Sequence, residues 1–131
     1  MATGRCNCGS INVSIAAVPE QSAICYCSNC RRAGSCAGSV IFILERKDVK
    51  VEDKRSSLKE YTDSDTTSGN TITRQFCSHC GSPVMSVPAG NTPTVYLKGG
   101  LFDKLSPPAF KSFEQKEPDW LSVLIPGGVK P

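Results

Sequence analysis

Seven of the eight cysteines in this 131-residue chain fall into three tight groups. Cys6 and Cys8 form C-x-C, followed by Gly9. Cys25, Cys27 and Cys30 form C-x-C-x-x-C, and Cys77 and Cys80 form C-x-x-C, followed by Gly81. Disulfide closure across one intervening residue is strained, because disulfide geometry is specific. The same spacing suits a metal, since two thiolates can grip one ion from a tight turn. A glycine directly after such a knuckle lets the chain turn away with positive φ. A structural zinc needs four ligands in a tetrahedron, and two knuckles supply two each. Cys6 and Cys8 with Cys77 and Cys80 satisfy that count, although spacing alone leaves open which knuckles pair. Such a site contributes about 10–16 kcal/mol of apparent binding free energy to folding.

Cys25, Cys27 and Cys30 are then left over, and three protein ligands plus an exchangeable fourth is the pattern of a catalytic zinc. Three thiolates leave the site electron-rich, so it favours a sulfur ligand such as a substrate thiol over a strongly acidified water. Ser28 is placed to cap a short helix, which sets Cys30 in the first turn where the macrodipole favours a thiolate. The competing reading is a second closed site with Cys36 as fourth ligand. Cys36 is otherwise a redox partner or a buried, inert residue, the commonest fate of a lone cysteine. Arg31 and Arg32 can pair with a substrate carboxylate, or else cap loop carbonyls and balance thiolate charge. His79, the single histidine, sits at the tip of a knuckle and reads as a surface residue.

The elements that must carry these groups are short. An apolar fraction of 39%, with 9 prolines and 11 glycines, favours strands and loops over long helices. Ile11, Val13 and Ile15 alternate with Asn12 and Ser14 in a half-buried strand running toward Val18 and closed by Pro19. Ser22–Tyr26 forms a second strand leading into the central cysteines, and Val40–Leu44 is an apolar run expected as a buried strand. Weaker strands are expected at Val49–Val51 and Leu58–Tyr61. Others follow at Thr71–Phe76, Val84–Val87, Thr94–Lys98 and Leu121–Ile125, with an exposed loop over Thr62–Asn70. One helical turn or two begins at Ser28. The expectation is a single all-β domain spanning residues 1–131, large enough to bury about two-thirds of the surface its unfolded chain exposes.

The series Gly4-Arg5-Cys6-Asn7-Cys8-Gly9, then Cys25-Tyr26-Cys27-Ser28-Asn29-Cys30-Arg31-Arg32, then Phe76-Cys77-Ser78-His79-Cys80-Gly81-Ser82-Pro83 resembles the glutathione-dependent formaldehyde-activating enzyme family, which also includes centromere protein V. The resemblance runs from Gly4 to about Trp120, and Trp120 after Pro118-Asp119 is similar to a tryptophan the family carries near its end. It implies a β-tent of small antiparallel sheets with two zinc sites. Cys6, Cys8, Cys77 and Cys80 would hold the structural zinc, and Cys25, Cys27 and Cys30 the catalytic one. Arg31, Arg32 and Trp120 would then lie at the substrate. The implied activity is that of a carbon–sulfur lyase acting on a small thiol adduct of the kind glutathione forms with formaldehyde. Two features depart from the pattern: Tyr26 stands where the family commonly has histidine, and the chain is shorter than the namesake enzyme. The alternatives are a non-catalytic zinc-stabilised interaction module, or an enzyme of the same scaffold acting on another metabolite.

The surroundings agree with reduced thiols. The N-terminus, Met1-Ala2-Thr3-Gly4-Arg5, lacks the apolar region and cleavage site of a signal peptide. No stretch approaches the ~20 apolar residues of a membrane span, and Gly127-Gly128-Val129-Lys130-Pro131 matches no lipidation or retention signal. A cytoplasmic or nuclear location is expected, where metal binding is favoured over disulfides. Fifteen Lys and Arg interleave with twelve Asp and Glu to a net charge of +3, without the basic stripe of a nucleic-acid binder. The mixed-charge run from Glu45 to Glu60 reads as solvated surface.

Overall fold

Short runs of strand-forming residues, broken by Gly and Pro turns, build a mostly β structure in the computed structural model, which describes residues 1–127. The terminal Gly128-Val129-Lys130-Pro131, read above as free of a lipidation signal, lies outside the described residues. The strands are β1 (Ala2–Arg5), β2 (Ile11–Ile15), β3 (Ser22–Cys25), β4 (Ser39–Glu45), β5 (Lys50–Asp53), β6 (Leu58–Asp63), β7 (Ile72–Cys77), β8 (Pro83–Pro88), β9 (Thr94–Lys98) and β10 (Pro108–Ser112). The helix α1 spans Ser28–Gly34, and short 3-10 turns follow β4, β9 and β10. Among the described residues no helix is long and apolar enough to cross a membrane.

Two sheets result. The smaller has the order β1-β2-β5, and the larger has the order β10-β3-β4-β9-β8-β7-β6. Every pairing is antiparallel except that of β10 with β3, which is parallel. Ile11, Val13 and Ile15 of β2 are buried and share one core with Phe42, Val84, Met85, Val87, Val95 and Leu97 of the larger sheet. Phe42 is fully buried and its ring meets that of Phe102, centroid to centroid at 5.6 Å. Truncating it leaves a void that close-packed strands cannot collapse. Phe42→Ala is expected to cost about 3–5 kcal/mol, read from the midpoint and slope of chemical denaturation.

The period of two along the larger sheet sends one set of side chains into this core and the other into a cavity. On β4, Phe42 and Leu44 join the core while Ile41 and Ile43 line the cavity; on β9, Val95 and Leu97 join the core while Tyr96 and Lys98 line the cavity. Register puts these alternate residues side by side: Ile41 opposite Lys98, Ile43 opposite Tyr96, Ser86 opposite both Tyr96 and Arg74, and Pro88 opposite Ile72. The apolar run Val40–Leu44 is therefore not a buried strand throughout, since Ile43 is 46% exposed. Its second apolar face fronts an open cavity in place of a packed layer.

Two strands escape the sequence reading and one expected strand is absent. β1 is four residues long, and β10 starts at Pro108, where a proline is tolerated because it opens a strand at the edge of the sheet. Leu121–Ile125 pairs with no strand among the described residues. Its alternation survives only as burial: Leu121, Val123 and Ile125 are half-buried while Ser122 and Leu124 are exposed.

Candidate functional site

The two terminal knuckles fold alike. Gly9 and Gly81 each turn at φ 78°, the positive φ expected of a glycine that follows a knuckle. Their amides close the turns, Gly9 N–H donating to Cys6 O (3.1 Å) and Gly81 N–H to Cys77 O (2.7 Å). Cys6, Cys8, Cys77 and Cys80 come together with all four sulfurs within 4.8 Å of one another. Cys8 Sγ lies 3.7 Å from both Cys6 Sγ and Cys77 Sγ. Thiolates in a zinc tetrahedron, at about 2.3 Å from the metal, stand about 3.8 Å apart, so the donor set fits such an ion in chemistry and in span. The cluster ties the start of the chain to the end of β7.

A ring of hydroxyls around these sulfurs was not foreseen. Ser10 Oγ lies 3.1 Å from Cys8 Sγ and 3.3 Å from Cys77 Sγ, and Ser82 Oγ lies 3.2 Å from Cys80 Sγ. Ser57, buried, meets Ser10 at 2.9 Å and donates to Asp53 Oδ1 at 3.1 Å. The legible signal was the repeated triplet Cys-Gly-Ser, at Cys8-Gly9-Ser10 and Cys80-Gly81-Ser82. Burial pushes the Cys77 thiol up, but hydrogen bonding with the Ser10 hydroxyl, the Cys80 amide and the Ser57 hydroxyl overcomes it and brings the thiol down to about 5. The Ser82 hydroxyl, against burial, lowers Cys80 to about 7. His79 is exposed at the knuckle tip.

The second cluster forms where β3 meets α1. Cys25 ends the strand, and Cys27, rather than the expected Ser28, caps the helix, its sulfur accepting from Cys30 N–H at 3.3 Å. The extended backbone of Cys27 (ψ 156°) makes it the cap, and Ser28 already lies in the first turn. The three sulfurs lie within 4.8 Å of one another. Gly38 permits this corner, because a Cβ there would sit 2.6 Å from the carbonyl oxygen of Cys25. A hydrogen bond with Cys30 lowers the Cys25 thiol to about 6 against the effect of burial, and the same contact, with burial, raises Cys30. The trio fits a soft metal ion that keeps a further position for another ligand.

This cluster opens on a cavity of about 430 Å³. Its floor is the outer face of β4, β9, β8 and β7 described above, and Phe110, Ser112 and Phe113 wall one side. The loop after β6 forms the opposite lip and is pinned: Asn29 donates to Asp65 O (2.9 Å) and accepts from Thr67 N–H (3.0 Å) and Oγ1 (3.1 Å). Lys98 is only 7% exposed, and burial depresses its ammonium while the sulfurs of Cys30 and Cys25 oppose that effect. Arg74 donates from Nε to Asp63 Oδ2 at 2.8 Å, which holds the Asp63 carboxyl below its ordinary range.

A carboxyl lowered on folding contributes its full stability above its unfolded pKa, near 4, and loses it as pH falls through the folded value. The stability gap between wild type and Asp63→Asn is therefore expected to be full at pH 7 and to close below about pH 4. Urea unfolding at each pH checks this, and any effect of acid on the thiols is common to both proteins. A gap independent of pH would show that the carboxylate charge is not what holds Arg74.

Other sequence expectations fall outside the cavity. Arg31 and Arg32 are exposed on α1, whose seven residues turn them to solvent, and neither lines the cavity. Trp120 is 83% exposed and also stands apart from it. Lys98 and Arg74 are the cations that do line it. Cys36 is neither buried nor a member of the three-thiol group: Ser35, left-handed at φ 50°, ends α1 and leaves Cys36 exposed. Tyr26 is buried and does not line the cavity, and burial and then the Glu117 carboxylate raise its phenol.

A family model described as glutathione-dependent formaldehyde-activating enzyme matches residues 1–119. A crystal structure of a Rhodobacter sphaeroides protein, determined as a structural genomics target, is similar in fold, with a TM-score of 0.62 at 20% identity over 80% of this chain and 91% of that one. No curated protein matches the sequence. With the match reaching from the first knuckle past the last, the chain belongs to the glutathione-dependent formaldehyde-activating enzyme family.

Proposed function

We propose that the chain is a zinc-dependent enzyme that makes or breaks the carbon–sulfur bond of a small thiol adduct, the chemistry its family name implies for glutathione and formaldehyde. The observation that carries this reading is the contrast between the clusters. Four thiols are gathered at one, while three thiols open on a cavity with a buried lysine at the other. In this reading Cys6, Cys8, Cys77 and Cys80 hold a structural zinc, and Cys25, Cys27 and Cys30 hold a second. Zinc bound at the second site would supply a soft Lewis-acid centre that favours the ionised form of a thiol. The proposal includes a cytoplasmic location, where cysteines stay reduced.

The reaction balances without an oxidant. The thiol sulfur bonds to the aldehyde carbon, the carbonyl π bond opens, and the thiol proton ends on the oxygen. The reverse returns that proton to sulfur as the carbon–sulfur bond breaks. The Lys98 ammonium stands beside the thiols and offers positive charge where the oxygen becomes negative. Lys98 is only 7% exposed, and the low dielectric around a buried charge strengthens that interaction.

The test is exchange spectroscopy of the hydroxymethyl group between formaldehyde and a thiol, run with glutathione and with benzyl mercaptan. Zinc-loaded protein is expected to accelerate the exchange. Lys98→Met is expected to slow it by about 10²-fold while the circular dichroism spectrum is unchanged. Exchange no faster than in buffer with either thiol would overturn the reading, and a wild-type rate in Lys98→Met would remove Lys98 from the chemistry.

A further inference from the structure

The cavity beside the three thiols is mostly apolar and its two cations are already engaged. Arg74 and Lys98 are the cations among its lining residues. Arg74 is held by Asp63 at 2.8 Å. Lys98 is only 7% exposed and stands beside the three thiols, where the proposed reaction engages it at the reacting oxygen. Neither lining cation is left free for a carboxylate elsewhere on the substrate, and Arg31 and Arg32 lie outside. Against this stands a wall of Ile41, Ile43, Ile72, Tyr96, Phe110 and Phe113. Ile43 and Phe110 are each 46% exposed at a concave surface, where an apolar ligand would cover them.

A charged peptide thiol such as glutathione brings two carboxylates and an ammonium. Seating them on that wall strips their hydration and leaves the carboxylates without a free cation, which burial penalises. An uncharged thiol meets no such penalty, and the hydroxyls of Ser86, Ser112 and the pinned lip suit a single neutral oxygen.

We propose that the thiol or thiol adduct taken by this cavity is uncharged and apolar, of the alkyl- or arylthiol class, in place of a charged peptide thiol. The inference rests on the thiol-adduct reading given above and narrows it. It is tested by calorimetric titration of zinc-loaded protein with benzyl mercaptan and, separately, with glutathione. Benzyl mercaptan is expected to bind at least tenfold more tightly. Phe110→Ala, at a half-exposed position on an edge strand, is expected to weaken benzyl mercaptan several-fold, and benzyl mercaptan binding to this variant as tightly as to wild type overturns the apolar wall as its seat. Glutathione binding as tightly as benzyl mercaptan, or more tightly, overturns the apolar class and leaves a thiol site standing. Failure of both thiols to bind at millimolar concentration overturns the apolar class and the thiol-adduct reading together.

Discussion

Cys77→Ser is expected to abolish folding. Cys77 is fully buried at the end of β7, and its sulfur is surrounded by Cys8, Ser10 and Ser57. A serine hydroxyl does not ionise there and would leave the proposed zinc one ligand short. A four-thiolate zinc site is worth about 10–16 kcal/mol of folding free energy, against a net stability of about 5–15 kcal/mol for a whole domain. Weakening the site by even half removes most of what holds the native state. Circular dichroism and proton NMR of the purified variant are expected to show an unfolded chain. The same outcome is expected when a strong chelator strips the wild type. A folded, cooperative Cys77→Ser would mean that the core shared by Val13 and Phe42 suffices alone.

The second large effect is on turnover. Cys27→Ser is expected to leave the fold intact and to lower hydroxymethyl exchange by more than the 10–100-fold typical of changes outside a metal's own ligands. Serine is chosen because Cys27 is also the cap of α1, accepting from Cys30 N–H. A serine oxygen is among the best caps, so the helix start survives while the thiolate is lost. The corner is also held independently of any metal, by Ser39 Oγ donating to Cys30 O at 2.6 Å and by Tyr26 N–H donating to Ser112 O at 2.9 Å. Loss of exchange in a variant with a wild-type spectrum would separate the second cluster's work from the first cluster's.

The turns at the two terminal knuckles were legible from sequence, whereas the cap of α1 stands at Cys27, one residue before the expected Ser28. Knuckle spacing and the glycine after each pair already implied tight turns, and Gly9 and Gly81 adopt them. The strand at Thr94–Lys98 has the expected bounds. What stayed hidden depends on which face of a strand meets what. Lys98 reads as the polar end of a strand, and only the register with Ile41 places it in the cavity wall. Arg31 and Arg32 follow Cys30 directly in the chain, yet a helix rotates successive residues by about 100°, and both face solvent. The lip after β6 reads as free polar loop, because nothing local shows that Asn29 will bind it from the helix.

The central claim is that the chain carries two thiol centres with different work, one closed and structural, one opening on the cavity. Native mass spectrometry of wild type, Cys27→Ser and Cys77→Ser, each with circular dichroism, tests it most directly. The account predicts one zinc for each of the two clusters in wild type, a single zinc in a folded Cys27→Ser, and an unfolded Cys77→Ser. A Cys27→Ser chain as unfolded as Cys77→Ser, or a wild type that holds metal at only one cluster, would contradict it.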